Sequence, residues 1–285
     1  MTPSDRATPE LIAFVGGGQM GAALAGGLIA AGHAAARLRV AEPDAARAAA
    51  LARQLGVDVR ARAADVVAGA AAVVLAVKPQ SMREALAGLR VAESAVVISI
   101  AAGVRTATLR ELLGGHARIV RAMPNTPALL RAGITGLHAA PGLDAAARAL
   151  AERVLGAVGA TCWVPEEAQL DAVTALSGSG PAYYFLLTEV LRDAGVALGL
   201  DRATASALAE KTFTGAARMA GDGKDVAELR ANVTSKGGTT EAAVAELERN
   251  GVRELFKNAL QAAAHRSAEL GDALSRAPSP ESRAP

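Results

Sequence analysis

The chain has 285 residues, 51% of them hydrophobic but only 2% aromatic, and carries a formal net charge of +2, so its core must be built from Ala, Leu and Val. Near-neutral charge and scattered arginines speak against nucleic acid or a membrane surface as partner, and no apolar run reaches membrane-spanning length without glycine or charge. The single cysteine, Cys162, allows no internal disulfide and no thiolate metal site, and fits a reducing, cytoplasmic setting.

The length allows one large domain or two modest ones. MTPSDRATPE has acids and prolines and no apolar segment of its own, so residues 1–10 read as a loose tail rather than a signal peptide. Residues 277–285, rich in Pro, Ser and Arg, read the same way. Between them, Leu11–Val15 is an uncharged apolar run that suits a strand buried on both faces. Gly16, Gly18 and Gly21 follow at G-x-G-x-x-G spacing, with Gln19 and Met20 between the last two, and an Ala/Leu-rich helix starts near Met20. In that setting Gly16 permits the tight turn, Gly18 lets the backbone approach a pyrophosphate, and Gly21 lets the helix pack on the strand. The helix N-terminus then faces the phosphates.

Leu38–Ala41 is the next strand, and Glu42 ends it. A carboxylate there can accept both ribose hydroxyls of NAD and would repel the extra phosphate of NADP. Arg37, Arg39 and Arg47 can offset that repulsion, so NADPH and NADH both stay open. Glu42 also reads as a helix-start acid before Pro43. A helix over Pro43–Leu55, stopped by Gly56, leads to a short strand at Val57–Val59. Ala70–Val77 is a strong strand ending in Lys78-Pro79, and Gln80–Leu89 a helix. Ala95–Ile100 is a strand that turns through Ala101-Ala102-Gly103. Thr108 to Glu111 has capping-box spacing for a short helix. Arg118–Ala122 precedes Met123-Pro124-Asn125-Thr126-Pro127. Strands at Ile134–Ala139 and Thr161–Val164 flank a helix over Leu143–Val158. Cys162, within the last strand, reads as buried and inert.

This alternation predicts an α/β Rossmann domain over residues 11–165, with a doubly wound, mostly parallel sheet. Residues 166–276 show helical patterning only: Gly180 to Gly199, Asp201 toward Met219, a short helix from Asp225, one from Thr239 or Thr240 to Asn250-Gly251, and one over Arg253–Leu270. The apolar runs on these helices, Tyr183–Leu198 above all, suit an all-α dimerisation domain. His33, His116, His138 and His265 read as solvated residues in turns or on helix surfaces.

Ligands bind outside the carboxyl ends of parallel strands. Val77-Lys78-Pro79, Ala101 and Asn125 fall there: Lys78 can donate to cofactor hydroxyls, and Asn125 has donor and acceptor groups for a nicotinamide or substrate. In the helical half, Ala175–Tyr183 and Val233–Thr240 are rich in glycine and hydroxyls without evident structural need. The second precedes a helix and forms a cradle for a carboxylate, or an ordinary capped loop.

Val15–Gly21, Val77–Pro79, Met123–Pro127, Leu176–Tyr183 and Val233–Thr240 stand in the order and spacing of pyrroline-5-carboxylate reductases, which the chain resembles from about Leu11 to Leu270. The resemblance implies NAD(P)H-dependent reduction of 1-pyrroline-5-carboxylate to L-proline, the last step of proline biosynthesis, by a homodimer that commonly assembles to a decamer. It implies that Ser235, Gly237, Gly238 and Thr239 hold the substrate carboxylate and that the Thr240 hydroxyl, the catalytic position, bonds the ring nitrogen. Lys78 and Asn125 fall on the cofactor side. Two residues depart from the family pattern: Lys236 replaces its usual proline, and Glu42 stands where many members are neutral or basic. Alternative readings are a β-hydroxy acid dehydrogenase using Lys211, or a non-catalytic NAD(P)-binding redox sensor.

Overall fold

Alternation along the strands sorts their side chains onto two faces of one sheet. In the computed structural model, which describes residues 10–276, Ile12 and Phe14 enter one apolar cluster and Ala13 and Val15 another. All four belong to β1 (Ile12–Val15), an interior strand of the sheet. The chain continues as α1 (Gln19–Ala30), β2 (Leu38–Ala41), α2 (Ala45–Leu55), β3 (Asp58–Arg60), β4 (Ala72–Leu75), α3 (Met82–Leu86), β5 (Val96–Ser99), α4 (Thr106–Leu112), β6 (Ile119–Met123), β7 (Gly133–Ala139), α5 (Ala145–Gly156) and β8 (Gly159–Trp163). The eight strands lie in the order β3-β2-β1-β4-β5-β6-β7-β8. Every neighbouring pair is parallel except β6 with β7. Leu24 and Leu28 of α1, Leu51 of α2 and Leu155 of α5 cover one face. Met82 and Leu86 of α3 and Leu109 of α4 cover the other.

Helices follow: α6 (Gln169–Val173), α7 (Gly180–Ala197), α8 (Arg202–Gly221), α9 (Val226–Asn232), α10 (Thr239–Arg249) and α11 (Val252–Arg276). Local signals set several of their starts. Asp201 accepts the Thr204 N–H at 3.0 Å to cap α8, and Asp225 accepts the Ala227 N–H at 2.8 Å to cap α9. The chain divides into two units. One runs to Gly178 and resumes from Ala263; the other is Ser179–Ala262. The expected boundary at 165/166, with helices running to 276 as one domain, differs from this division. The reason is α11, whose last turns return to the sheet unit. Leu274 packs against the second core cluster, Ser267 Oγ donates to Asp171 at 2.6 Å, and Arg105 pairs with Asp272.

Long-range contacts moved other boundaries. α4 starts at Thr106, two residues before the expected capping box, because Glu167 accepts both the Thr106 N–H (2.7 Å) and its hydroxyl (2.9 Å). Thr108 lies inside the helix, its hydroxyl 3.2 Å from that of Ser275. The helix expected over Gln80–Leu89 shrinks to a 3₁₀ turn at Pro79–Ser81 and α3. Cys162 is exposed rather than buried, since β8 is an edge strand showing alternate residues outward. Glu10, placed in the expected tail, pairs with Arg153 at 2.7 Å; the remainder of both tails lies outside the described residues. Ala175–Tyr183 does have structural work: Thr174–Gly178 is a π-helical turn, and a Cβ on Gly178 would stand 2.5 Å from the Met123 methyl.

Candidate active site

The strand order reverses between β1 and β4, which opens a crevice at their carboxyl ends. Gly16 sits there with φ +107°, a conformation that L side chains resist. A Cβ on it would lie 2.7 Å from the Ala76 carbonyl oxygen, and one on Gly21 would lie 2.4 Å from that of Gly16. The turn and the close helix packing therefore both require glycine. Gly18 differs, because a Cβ there meets nothing within 4 Å. The space over it is open to a ligand. Gly18 is also the N-cap of α1 and makes no side-chain cap, and the first turn of α1 holds no acid. The first N–H groups of α1 lack intrahelical acceptors, which suits a pyrophosphate.

A cavity of about 700 Å³ runs from this turn along the β2 and β4 ends, lined by Gly16, Gly18, Glu42, Arg47, Val77 and Lys78 among others. That volume suits a cofactor. Glu42 is only 5% exposed, and both its oxygens are engaged. Oε2 accepts the Gly17 N–H at 3.2 Å and Oε1 the Asp44 N–H at 3.0 Å, while Arg47 Nε stands 3.7 Å from Oε2. Glu42 thus ties the glycine turn to the start of α2. The cap of α2 is Asp44, which accepts the Arg47 N–H at 2.8 Å; that bond holds the Asp44 carboxyl below its usual range. Of the arginines expected near Glu42, Arg47 lines the cavity, whereas Arg39 reaches the Ala68 carbonyl instead. Arg62, which sequence reasoning missed, lines it too, brought there by the parallel pairing of β2 with β3 just before it.

Lys78 is exposed and Pro79 half-buried. Gln19 is exposed and Met20 half-buried in the first turn of α1. Ala101 and Asn125 follow β5 and β6 at the same carboxyl edge but do not line the cavity. Asn125 Oδ1 accepts the Ile134 N–H at 3.0 Å, which leaves its NH₂ to donate. Three histidine expectations need correction. His138 lies within β7, half-buried, with Nδ1 3.4 Å from the Val164 carbonyl oxygen. His116 is buried with Nε2 3.1 Å from the Ala95 carbonyl oxygen, and burial pushes its pKa down. His33 Nε2 is buried without a partner among the described residues.

In the helical unit, the Gly238 N–H donates to the Ser235 carbonyl at 3.0 Å, which closes a turn, and Gly237 has φ +73°. A Cβ on Gly238 would stand 2.6 Å from Ser235 Oγ, so glycine there makes room for that hydroxyl. Gly238 is the N-cap of α10 and offers no side-chain cap. Ser235, Lys236 and Thr239 are exposed and Thr240 is half-buried. The Gly237 N–H donates to Glu241 Oε2 at 2.6 Å. The expected site residues thus form two groups, one at the sheet crevice and one on this turn, each in its own unit.

An open sheet with this strand reversal, and a glycine turn leading into an uncapped helix, defines a Rossmann-type dinucleotide-binding protein. Residues 11–103 match the family described as NADP oxidoreductase, coenzyme F420-dependent. Residues 167–270 match that of pyrroline-5-carboxylate reductase dimerisation. The pyrroline-5-carboxylate reductase of Pseudomonas aeruginosa is 48% identical over 270 residues, which covers 94% of this chain and 98% of that one. The Haemophilus influenzae enzyme is 41% identical over 265 residues, 92% and 97% of the two chains. A solved pyrroline-5-carboxylate reductase from Coxiella burnetii matches with a TM-score of 0.88 and 43% identity, over 93% of this chain and 99% of that one. A Plasmodium falciparum pyrroline carboxylate reductase with NADP bound matches with a TM-score of 0.79 and 29% identity, again over 93% and 99%. The chain belongs to the pyrroline-5-carboxylate reductase family.

Proposed function

We infer that this protein reduces 1-pyrroline-5-carboxylate to L-proline with NADPH or NADH, the last step of proline biosynthesis. The observation that carries the reading is the near full-length identity to the Pseudomonas aeruginosa reductase, 48% over 270 residues. The crevice supports it, since its glycines, its open Gly18 and its cavity fit a dinucleotide. When bound, the nicotinamide supplies the hydride.

The chain's own residues then have separable tasks. Gly16, Gly18, Gln19, Met20 and Gly21 hold the pyrophosphate. Glu42 faces the adenosine ribose, Val77 and Lys78 flank the cofactor within the cavity, and Pro79, Ala101 and Asn125 belong to the cofactor side beyond it. Ser235 and the backbone of Gly237, Gly238 and Thr239 capture the substrate carboxylate at the start of α10, where the helix dipole favours an anion. Thr240 bonds the ring nitrogen. A protonated C=N is already electrophilic, so the protein needs orientation more than a strong acid. The Thr240 hydroxyl can accept from the iminium N–H and stay bonded as the nitrogen becomes an amine. A β-hydroxy acid dehydrogenase would rely on Lys211, which is exposed on α8, and would leave the Ser235–Thr240 turn without a task. A non-catalytic redox sensor would leave it without one too.

The helical unit makes this a homo-oligomer in our reading. Phe185, Leu186 and Leu191 of α7 are more than half exposed in the single chain, an apolar surface for a second copy to cover. Further assembly of dimers to a decamer is expected on family grounds. The unpaired Cys162 goes with a cytoplasmic location.

The test is oxidation of NADH and of NADPH by the purified protein, with and without pyrroline-5-carboxylate. Imine-dependent oxidation is expected, and the faster cofactor reports what Glu42 selects. Thr240→Ala should lower kcat/KM by about tenfold to a hundredfold, the worth of a hydrogen bond to a charged group, with cofactor binding kept. Cofactor binding with no imine-dependent oxidation would overturn the reading.

A further inference from the structure

The turn that leads into α10 already holds a carboxylate, and it is the chain's own. Glu241 Oε2 accepts the Gly237 N–H at 2.6 Å. The site is shaped for such a guest. Gly237 stands at φ +73°, and Gly238 leaves room for the Ser235 hydroxyl. The helix behind it spans Thr239–Arg249, and its N-cap has no side chain to satisfy the first N–H groups.

We propose that Glu241 is an internal competitor for the substrate carboxylate. In the free enzyme it occupies the Gly237 N–H, and the substrate must displace it to bind. This rests on the reading of Ser235–Thr240 as the substrate turn. A second carboxylate brought to the same N–H would lie within a few ångströms of the first, where like charges repel. The cost of displacement therefore falls on ligands that carry a carboxylate and on no others. Glu241 sets substrate affinity and leaves the hydride step alone.

A plain capping role is the opposing account, since an acid in the first helical turn can reach back to satisfy a backbone N–H. The two accounts differ in sign. Loss of a cap loosens the turn and raises KM, whereas loss of a competitor lowers it. Glu241→Gln and Glu241→Ala are compared with wild type in three measurements: KM for pyrroline-5-carboxylate, Ki for L-proline, and KM for 1-pyrroline, which lacks the carboxylate. Both variants should lower the first two by about three- to fivefold, the worth of one charge near a helix end, and leave the third in place. Gln keeps an acceptor oxygen, so its result stands even if the Ala variant folds poorly. An unchanged or raised KM for pyrroline-5-carboxylate in the Gln variant would overturn the proposal. An equal fall for 1-pyrroline would overturn it as well. Wild type with no imine-dependent turnover would instead overturn the functional reading beneath it.

Discussion

The sheet unit and the helical unit treat their apolar residues in opposite ways. Phe14, Leu24, Ile98 and Leu155 are completely buried between the sheet and the helices of their own chain. In the helical unit, Ala205 is the one buried hydrophobic side chain among the described residues of 179–262, while Phe185 stays 63% and Leu186 60% exposed. Tyr184 and Phe213 stack at 5.7 Å between ring centroids, yet Tyr184 is itself 58% exposed. Each large apolar side chain left in water forgoes about 1.5–3 kcal/mol. The sheet unit's stability comes from one chain. The helical unit leaves much of its apolar surface uncovered within the single chain.

That contrast can be broken most directly at its centre. Phe14→Ala should destabilise the sheet unit by about 3–5 kcal/mol, read by chemical denaturation, through lost burial and an unfilled cavity. A loss under 1 kcal/mol would mean that the core is not the main support of this unit. Leu187→Glu with Leu191→Glu, one helical turn apart on α7 and about half exposed at 47% and 53%, should shift the protein toward monomer in sedimentation. Retention of the oligomer would place the subunit contact elsewhere. The smallest effect sharpens the comparison through charge. Burial raises the Glu167 pKa, but the Thr106 N–H bond and the Arg121 guanidinium, 2.8 Å away, outweigh it and hold the carboxyl below its ordinary 4.5. Since the folded value lies below the unfolded one, the stabilisation is present above pH 4.5 and is lost as pH falls through the folded value. Glu167→Gln should cost about 1–3 kcal/mol at neutral pH and flatten the acid limb of a stability–pH curve. Glu248 is also held low, first by its Arg253 hydrogen bond, but on an exposed surface. Its Gln variant should change the curve far less.

The parts that were legible in the sequence are those with local causes. The glycine spacing after an apolar run marks the turn, because the conformation at Gly16 and the packing at Gly21 each admit no side chain. Asp201 and Asp225 announce helix starts because their side chains bond N–H groups two or three residues away. Other features had causes far along the chain. Glu167 decides where α4 begins from 61 residues away. Arg62 reaches the cavity only through the pairing of β3 with β2.

By itself, then, the sequence determined the alternating sheet, the dinucleotide turn and the helical second half, since periodicity, backbone freedom and capping act within a few residues. Only the tertiary structure decided that α11 ends on the sheet unit, that Cys162 lies on an exposed edge and that Glu42 joins the glycine turn to α2. It also decided which carboxylate fills the Gly237 N–H. Such outcomes depend on which distant groups meet once the chain is packed, and burial and hydrogen-bond satisfaction choose among partners that no local window contains.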